Sequence, residues 1–153
     1  MITETLSNTL NQNNKQRSNI MTIIFKEIKD IDTQAIQELF HSVDWKSGDF
    51  PEDLRQAINN SHTVITAWDG TKLVGLINAL SDGVMTVYFH YMLVHKEYQS
   101  LGIGKRMMEQ MLSRYSNIKT KVLISYDSAE KFYGLFGFKP EEGTKAMFIS
   151  DMV

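Results

Sequence analysis

The sequence predicts an α/β (α+β) fold: a mixed, mostly antiparallel sheet with a parallel central pair and helices on both faces. Three observations predict it. Strand-like runs at 64–68, 73–80 and 84–94 follow one another across the tight turns Asp69-Gly70 and Ser81-Asp82-Gly83, which makes an antiparallel meander. After the third run, Ile103, Met107, Met108, Met111, Leu112 and Tyr115 recur at three- and four-residue steps, the period of a helix that buries one face. A further strand-like run, 121–126, follows that helix, and a strand–helix–strand crossover makes its two strands parallel.

The remaining elements fall in place around this frame. Residues 21–25 form a first strand-like run. Asp32-Thr33 caps a helix whose Ile36, Leu39 and Phe40 share one side, and Val43 and Trp45 end it before the loop Lys46-Ser47-Gly48-Asp49. Pro51 opens a second helix with Leu54, Ala57 and Ile58 inward, stopping at Asn59-Asn60-Ser61. A helix is expected over 128–135, ended by Phe136-Gly137-Phe138, and a last strand over 146–149. The predicted order is β-α-α-β-β-β-α-β-α-β.

Composition bounds the function. The chain of 153 residues, 42% hydrophobic and 22% charged, is that of one ordinary globular domain. A formal net charge of −2, with no concentration of Lys and Arg on one stretch, argues against nucleic acid as a partner. With no cysteine there are no disulfides, thiolate metal sites or cysteine nucleophile, in keeping with a reducing cytoplasm. No apolar run approaches membrane-spanning length, and the N-terminus lacks a signal-peptide core. The four histidines show no metal-ligand spacing, so no metal is expected. Residues 1–20, with five asparagines and two glutamines, read as a flexible polar tail ahead of a single domain over 21–153. Met21 is a candidate alternative start, and the tail is expected to take no part in chemistry.

The chemistry concentrates at Gln99-Ser100-Leu101-Gly102-Ile103-Gly104-Lys105, where the third meander strand ends and the helix begins. Glycines here let a bulky anion approach the backbone. The first amides of the helix lack intrahelical acceptors, and the helix dipole adds partial positive charge. A plain strand-to-helix turn needs glycine as well, so both readings stand on this stretch alone. It is not a Walker loop, since no Gly-Lys-Ser/Thr ends it, and it lacks the third glycine of the dinucleotide fingerprint.

The run from Leu93 to Gly104, with Gln99-Ser100-Leu101-Gly102-Ile103-Gly104 at its core, resembles the signature of the GNAT superfamily of acyl-CoA-dependent N-acetyltransferases, Gln/Arg-x-x-Gly-x-Gly/Ala after a strand ending in Val. Downstream, Phe132-Tyr133-Gly134-Leu135-Phe136-Gly137-Phe138 is similar to the family's Phe-Tyr-x-x-x-Gly-Phe. Asp69-Gly70 followed by Leu73-Val74-Gly75 also looks typical, and the resemblance covers about residues 21–150 in the right order.

The resemblance implies acetyl-CoA as cosubstrate, its pyrophosphate held by backbone amides of roughly Ser100 to Lys105, with Gln99, Leu101, Gly102, Ile103 and Gly104 in the same turn. Lys105 can add charge there, or be a solvated first-turn lysine. The family splays the central strand from the next and lays the pantetheine arm between them, here along Leu93 and Val94, where a backbone N–H would polarise the thioester carbonyl. Tyr133 matches the tyrosine that, in many members, protonates the leaving thiolate. A phenol with a pKa of about 10 stays protonated at neutral pH and suits that task, although a core aromatic is the alternative role.

Two departures stand out. Many relatives carry Asn after the 121–126 strand, where this chain has Asp127, expected here to cap the next helix. The central strand also lacks the Asp or Glu that often serves as base. Strict alternation sets Tyr88, His90 and Met92 on one side of it, and Phe89, Tyr91 and Leu93 on the other. His90 can take the amine's proton, or be structural, and a water chain would also serve. Trp45, Asp44, Asp49 and Tyr88 are candidates to line the acceptor site. The expected function is therefore acetyl transfer from acetyl-CoA directly to a primary amine of a small molecule or protein, in a chain compatible with a homodimer. The alternative is a non-catalytic acyl-CoA-binding sensor or interaction module.

Overall fold

In a computed structural model the structure is described for residues 21–152; the expected polar tail over 1–20 lies outside the described residues. Five strands, β1 (Ile23–Glu27), β2 (Thr63–Asp69), β3 (Lys72–Ser81), β4 (Thr86–Val94) and β5 (Thr120–Leu123), form a single sheet in that spatial order. The first three pairings are antiparallel and β4–β5 is parallel, the mixed sheet that the sequence predicts. The helices are α1 (Thr33–Ser42), α2 (Pro51–Asn60), α3 (Ile103–Arg114) and α4 (Glu130–Gly134).

Local chemistry sets these boundaries. Asp32 Oδ2 accepts the amides of Gln34 and Ala35 at 3.0 and 3.2 Å, supplying orphan donors of α1 with an acceptor. Pro51 opens α2, where its missing N–H costs nothing. Gly70 and Gly83 take left-handed φ of +57° and +75° in the two hairpin turns. Asp82 Oδ1 accepts the amides of Val84, Met85 and Thr86 at 2.9, 2.8 and 3.0 Å, and these bonds, Thr86 foremost, hold its carboxyl below its ordinary pKa.

Each sheet face carries its own core. On one face Met107, Met108 and Met111 of α3 pack without solvent exposure on Ala67, Ile77 and Val87. On the other, Ile36, Leu39 and Phe40 of α1 and Ile58 of α2 lie on Val64, Leu76 and Leu93. Unbranched methionines suit α3, because they fill irregular gaps against a twisted sheet.

Several expectations give way. The 146–149 run is no strand: Met147 and Ile149 stand 92% and 107% exposed. A strand needs a free edge to pair with, and β5, the edge strand after the crossover, is only 4 residues long rather than reaching residue 126. The Lys46–Asp49 loop is a single 3-10 turn, and another such turn, Asp127–Ala129, precedes a short α4 in place of one helix over 128–135. No side chain caps that turn, so Asp127 does not play the capping role expected of it. Ala57 faces solvent, leaving Leu54 and Ile58 to carry the buried side of α2.

The α3 core is the main stabilising contact on its face. Met107→Ala removes a side chain with no solvent exposure, and a loss of about 2–5 kcal/mol in urea unfolding is expected; a change within error would contradict this placement.

Candidate functional site

Everything in the site is arranged around β4. Its register against β3 is regular from Gly75↔Val94 to Ile77↔Met92, then resumes at Ala79↔Phe89. Asn78 alone therefore faces two residues, His90 and Tyr91, and β4 carries a bulge. The bulge resets the alternation. Val87, Phe89, Met92 and Val94 pack toward the α3 core, while Tyr91 and Leu93 pack toward α1 and α2. His90 stacks on Tyr91 at 4.0 Å and lies 5.5 Å from Tyr88, so these three rings share the α1–α2 face. The strict alternation expected from the sequence fails here, because one extra residue in a strand shifts every later side chain to the other face.

Beyond the bulge, β4 loses its neighbour. The β4–β5 ladder runs from Thr86↔Thr120 to Phe89↔Leu123, where β5 ends, while β4 continues to Val94. On the β3 side, the amide of His95 donates to Val74 O at 2.9 Å and that of Tyr91 to Asn78 Oδ1 at 2.7 Å. Successive residues of a strand point their N–H groups to opposite sides. The amides of Met92 and Val94 therefore point away from β3, into the gap left by β5. Leu93, opposite Leu76, directs its amide to β3.

At the end of β4 the chain enters the glycine turn. Gln99 Nε2 donates to Val94 O at 3.1 Å and ties the turn to the strand. Ser100 and Gly102 both adopt left-handed φ, +66° and +79°. Gly102 is the N-cap of α3, and no side chain caps it. The amides of the first turn of α3 thus have no intrahelical acceptor. The two glycines differ in purpose. A Cβ at Gly102 would meet nothing within 4 Å, so the backbone there faces open space and glycine answers the positive φ. A Cβ at Gly104 would come 3.1 Å from Met92 Cε, 3.5 Å from Val94 Cγ2 and 3.7 Å from Phe132 Cζ. Gly104 lets α3 close onto β4 and α4. Ile103 is buried, Leu101 is exposed, and Lys105 reaches Glu109 at 3.8 Å along its own helix.

Tyr133 stands in the same neighbourhood, its hydroxyl 3.6 Å from Met92 Sδ. Phe132 and Phe138 meet its ring edge-on, at 5.2 and 6.2 Å between centroids. Burial pushes the phenol pKa above its ordinary value. The structure thus brings Gly104, Met92 and Tyr133 together on the α3 face of β4. His90 and Tyr88 are on the opposite face and do not join them. Burial lowers the pKa of His90, whose imidazole stays neutral further into the acid range. Burial, then the neighbouring Tyr91, raises that of Tyr88.

Of the expected acceptor residues, Trp45 packs on Phe40 at 5.8 Å and on Tyr91 at 6.0 Å, joining the aromatic row. Asp44 holds a left-handed φ of +58° beside it. Asp49 is tied to His41, with 3.0 Å between Oδ1 and Nε2. Tyr91, Met92 and Asn78 were not singled out by sequence reasoning. The signal for Asn78 was present: a lone amide in the aliphatic run of β3.

The site is thus a mixed sheet that opens beside a glycine-capped helix, with a short aromatic helix alongside. Residues 27–147 match the acetyltransferase (GNAT) domain model. An uncharacterized N-acetyltransferase ycf52 of Pyropia yezoensis is 30% identical over 82% of this chain and 79% of its own. GCN5-related N-acetyltransferase 2, chloroplastic, of Arabidopsis thaliana is 28% identical over 92% of this chain and 63% of its own. A solved GNAT-family acetyltransferase from Streptococcus pneumoniae superposes with a TM-score of 0.73 at 26% identity, covering 85% of this chain and 99% of that one. The chain belongs to the GNAT family of acetyltransferases.

NMR titration of His90 should give a midpoint below the ordinary histidine value of about 6.5. The folded chain then binds fewer protons than the unfolded chain between the two pKa values, so stability rises with pH across that window. A midpoint at or above the ordinary value would contradict the crowding of its ring.

Proposed function

We propose that this chain transfers an acetyl group from acetyl-CoA directly to a primary amine. The observation that carries the reading is the β4 edge that opens past Phe89 beside the uncapped, glycine-lined start of α3. Acetyl-CoA, when bound, supplies the acetyl group as a thioester open to attack by a neutral amine. The turn from Gln99 to Lys105 fits its pyrophosphate, because Gly102 leaves the backbone uncovered there. Met92 and Val94 offer their free-side amides to the pantetheine arm and to the negative charge that develops on the thioester carbonyl oxygen.

Tyr133 keeps its hydroxyl proton, since burial opposes the phenolate, and delivers it to the departing sulfur. The proton released by the amine nitrogen leaves to solvent through His90 or a water chain, and the phenolate takes a proton back from solvent, so protons balance. His90 suits the role of base because it stays neutral at physiological pH. With no cysteine in the chain, an acyl-cysteine step is excluded. The amine is received on the α1–α2 side, by Trp45, Asp44 and Tyr88 together with Tyr91. Asp49 is engaged by His41, which leaves Asp44 as the carboxylate for a cationic amine.

No helix among the described residues is long and apolar enough to cross a membrane, and a reducing compartment such as the cytoplasm suits the cysteine-free chain. The chain is compatible with a homodimer, for which exposed Met147, Phe148 and Ile149 offer apolar surface. A second reading, a non-catalytic acyl-CoA sensor, draws support from the lack of any Asp or Glu on β4.

CoA release from acetyl-CoA, assayed with spermidine, tyramine and a peptide bearing a free N-terminus, separates the two readings. Turnover on one amine, falling about tenfold or more in Tyr133→Phe with acetyl-CoA affinity unchanged, is expected. Tight acetyl-CoA binding without turnover favours the sensor, and unchanged turnover in Tyr133→Phe removes the tyrosine from the scheme.

A further inference from the structure

We infer that Asn78 is a positioning residue: its side chain holds the β4 bulge that turns His90 and Tyr91 together onto the amine-receiving face. The inference rests on the proposed transferase reading for its catalytic meaning, and on geometry for the rest. Asn78 is 1% exposed in the middle of β3, a place where an aliphatic side chain would satisfy packing alone. A buried amide is tolerated only with partners, and this one has them on both atoms. Its Oδ1 accepts the Tyr91 amide at 2.7 Å, and its Nδ2 donates to Ser61 Oγ at 2.9 Å. Ser61, also 1% exposed, donates in turn to Ala57 O of α2 at 2.9 Å. The amide's orientation follows from the partners, because a backbone N–H can only donate.

The strut therefore links the last turn of α2 to the bulged amide of β4 through two buried side chains. In the bulge, Tyr91 N–H takes a side-chain oxygen as its acceptor. Without that oxygen a buried donor is orphaned, and the strand gains by slipping back toward simple alternation. Slippage would send the Tyr91 ring toward Phe89 and the α3 core, and would dissolve its contacts with Phe40, Trp45 and His90. The amine-receiving face would lose its aromatic wall, and the amides of Met92 and Val94, which follow the bulge on the same strand, would turn toward β3 with the shifted register.

Amide hydrogen exchange and kinetics on Asn78→Ala test this. In the wild type the Tyr91 amide should be protected like its β-ladder neighbours. In Asn78→Ala its exchange should accelerate about tenfold or more relative to those neighbours, the worth of one buried hydrogen bond. The KM for whichever of spermidine, tyramine or the peptide is acetylated should rise about tenfold, and calorimetry should find acetyl-CoA binding weakened, because the Met92 and Val94 amides shift with the strand. A Tyr91 amide that exchanges freely in the wild type overturns the inference whether or not the variant folds. So does a folded Asn78→Ala that keeps the wild-type amine KM and kcat. Failure of the wild type to bind acetyl-CoA would instead refute the transferase reading, leaving the exchange result to judge the strut.

Discussion

A strand inside a sheet must find partners for its amides on both sides, and the way β4 meets that demand governs this molecule. On the β3 side the ladder is complete only because a side-chain amide accepts the N–H that the bulge displaces. On the β5 side it is left incomplete past Phe89. Among the described residues no buried side-chain polar atom lacks a partner, whereas past Phe89 the backbone of β4 has no ladder partner on the β5 side. Backbone donors left pointing into a gap are preorganised for an extended, amide-bearing ligand.

The helices serve this arrangement from both faces. On one face α3 closes onto β4 because Gly104 has no side chain, and Met92 fills the space between that glycine and the Tyr133 hydroxyl. On the other, α1 and the 3-10 turn after it bring Phe40 and Trp45 against Tyr91. The strand thus separates a phenol whose pKa burial raises from an imidazole whose pKa burial lowers. The proposed reaction would give these two groups opposite tasks, and the same physical cause suits each to its own.

Much of this was legible in the sequence. Periodicity marked α1, α2 and α3, because their apolar residues keep one face buried throughout, and apolar runs between tight turns marked the meander, whose β2 and β3 are buried on both faces. The glycine turn and Tyr133 stood in motifs whose spacing survives in the fold. The bulge was not legible: period-two reasoning assumes one residue per partner, and that rule fails where Asn78 faces both His90 and Tyr91. Met92 was placed with His90 for the same reason. The run at 146–149 has strand composition but lacks a paired edge, a tertiary condition that local sequence does not encode. Asp127 looked like a cap because of its type and position, yet the following turn is closed by the bond from Ala129 N–H to Tyr126 O, without its side chain.

In the proposed function the open edge of β4 holds the acyl donor. Hydrogen exchange at the Met92 and Val94 amides, with and without saturating acetyl-CoA, tests it most directly. These amides should exchange faster than that of Leu93 in the free protein and become protected when acetyl-CoA binds. Saturation that leaves both unprotected would contradict the account.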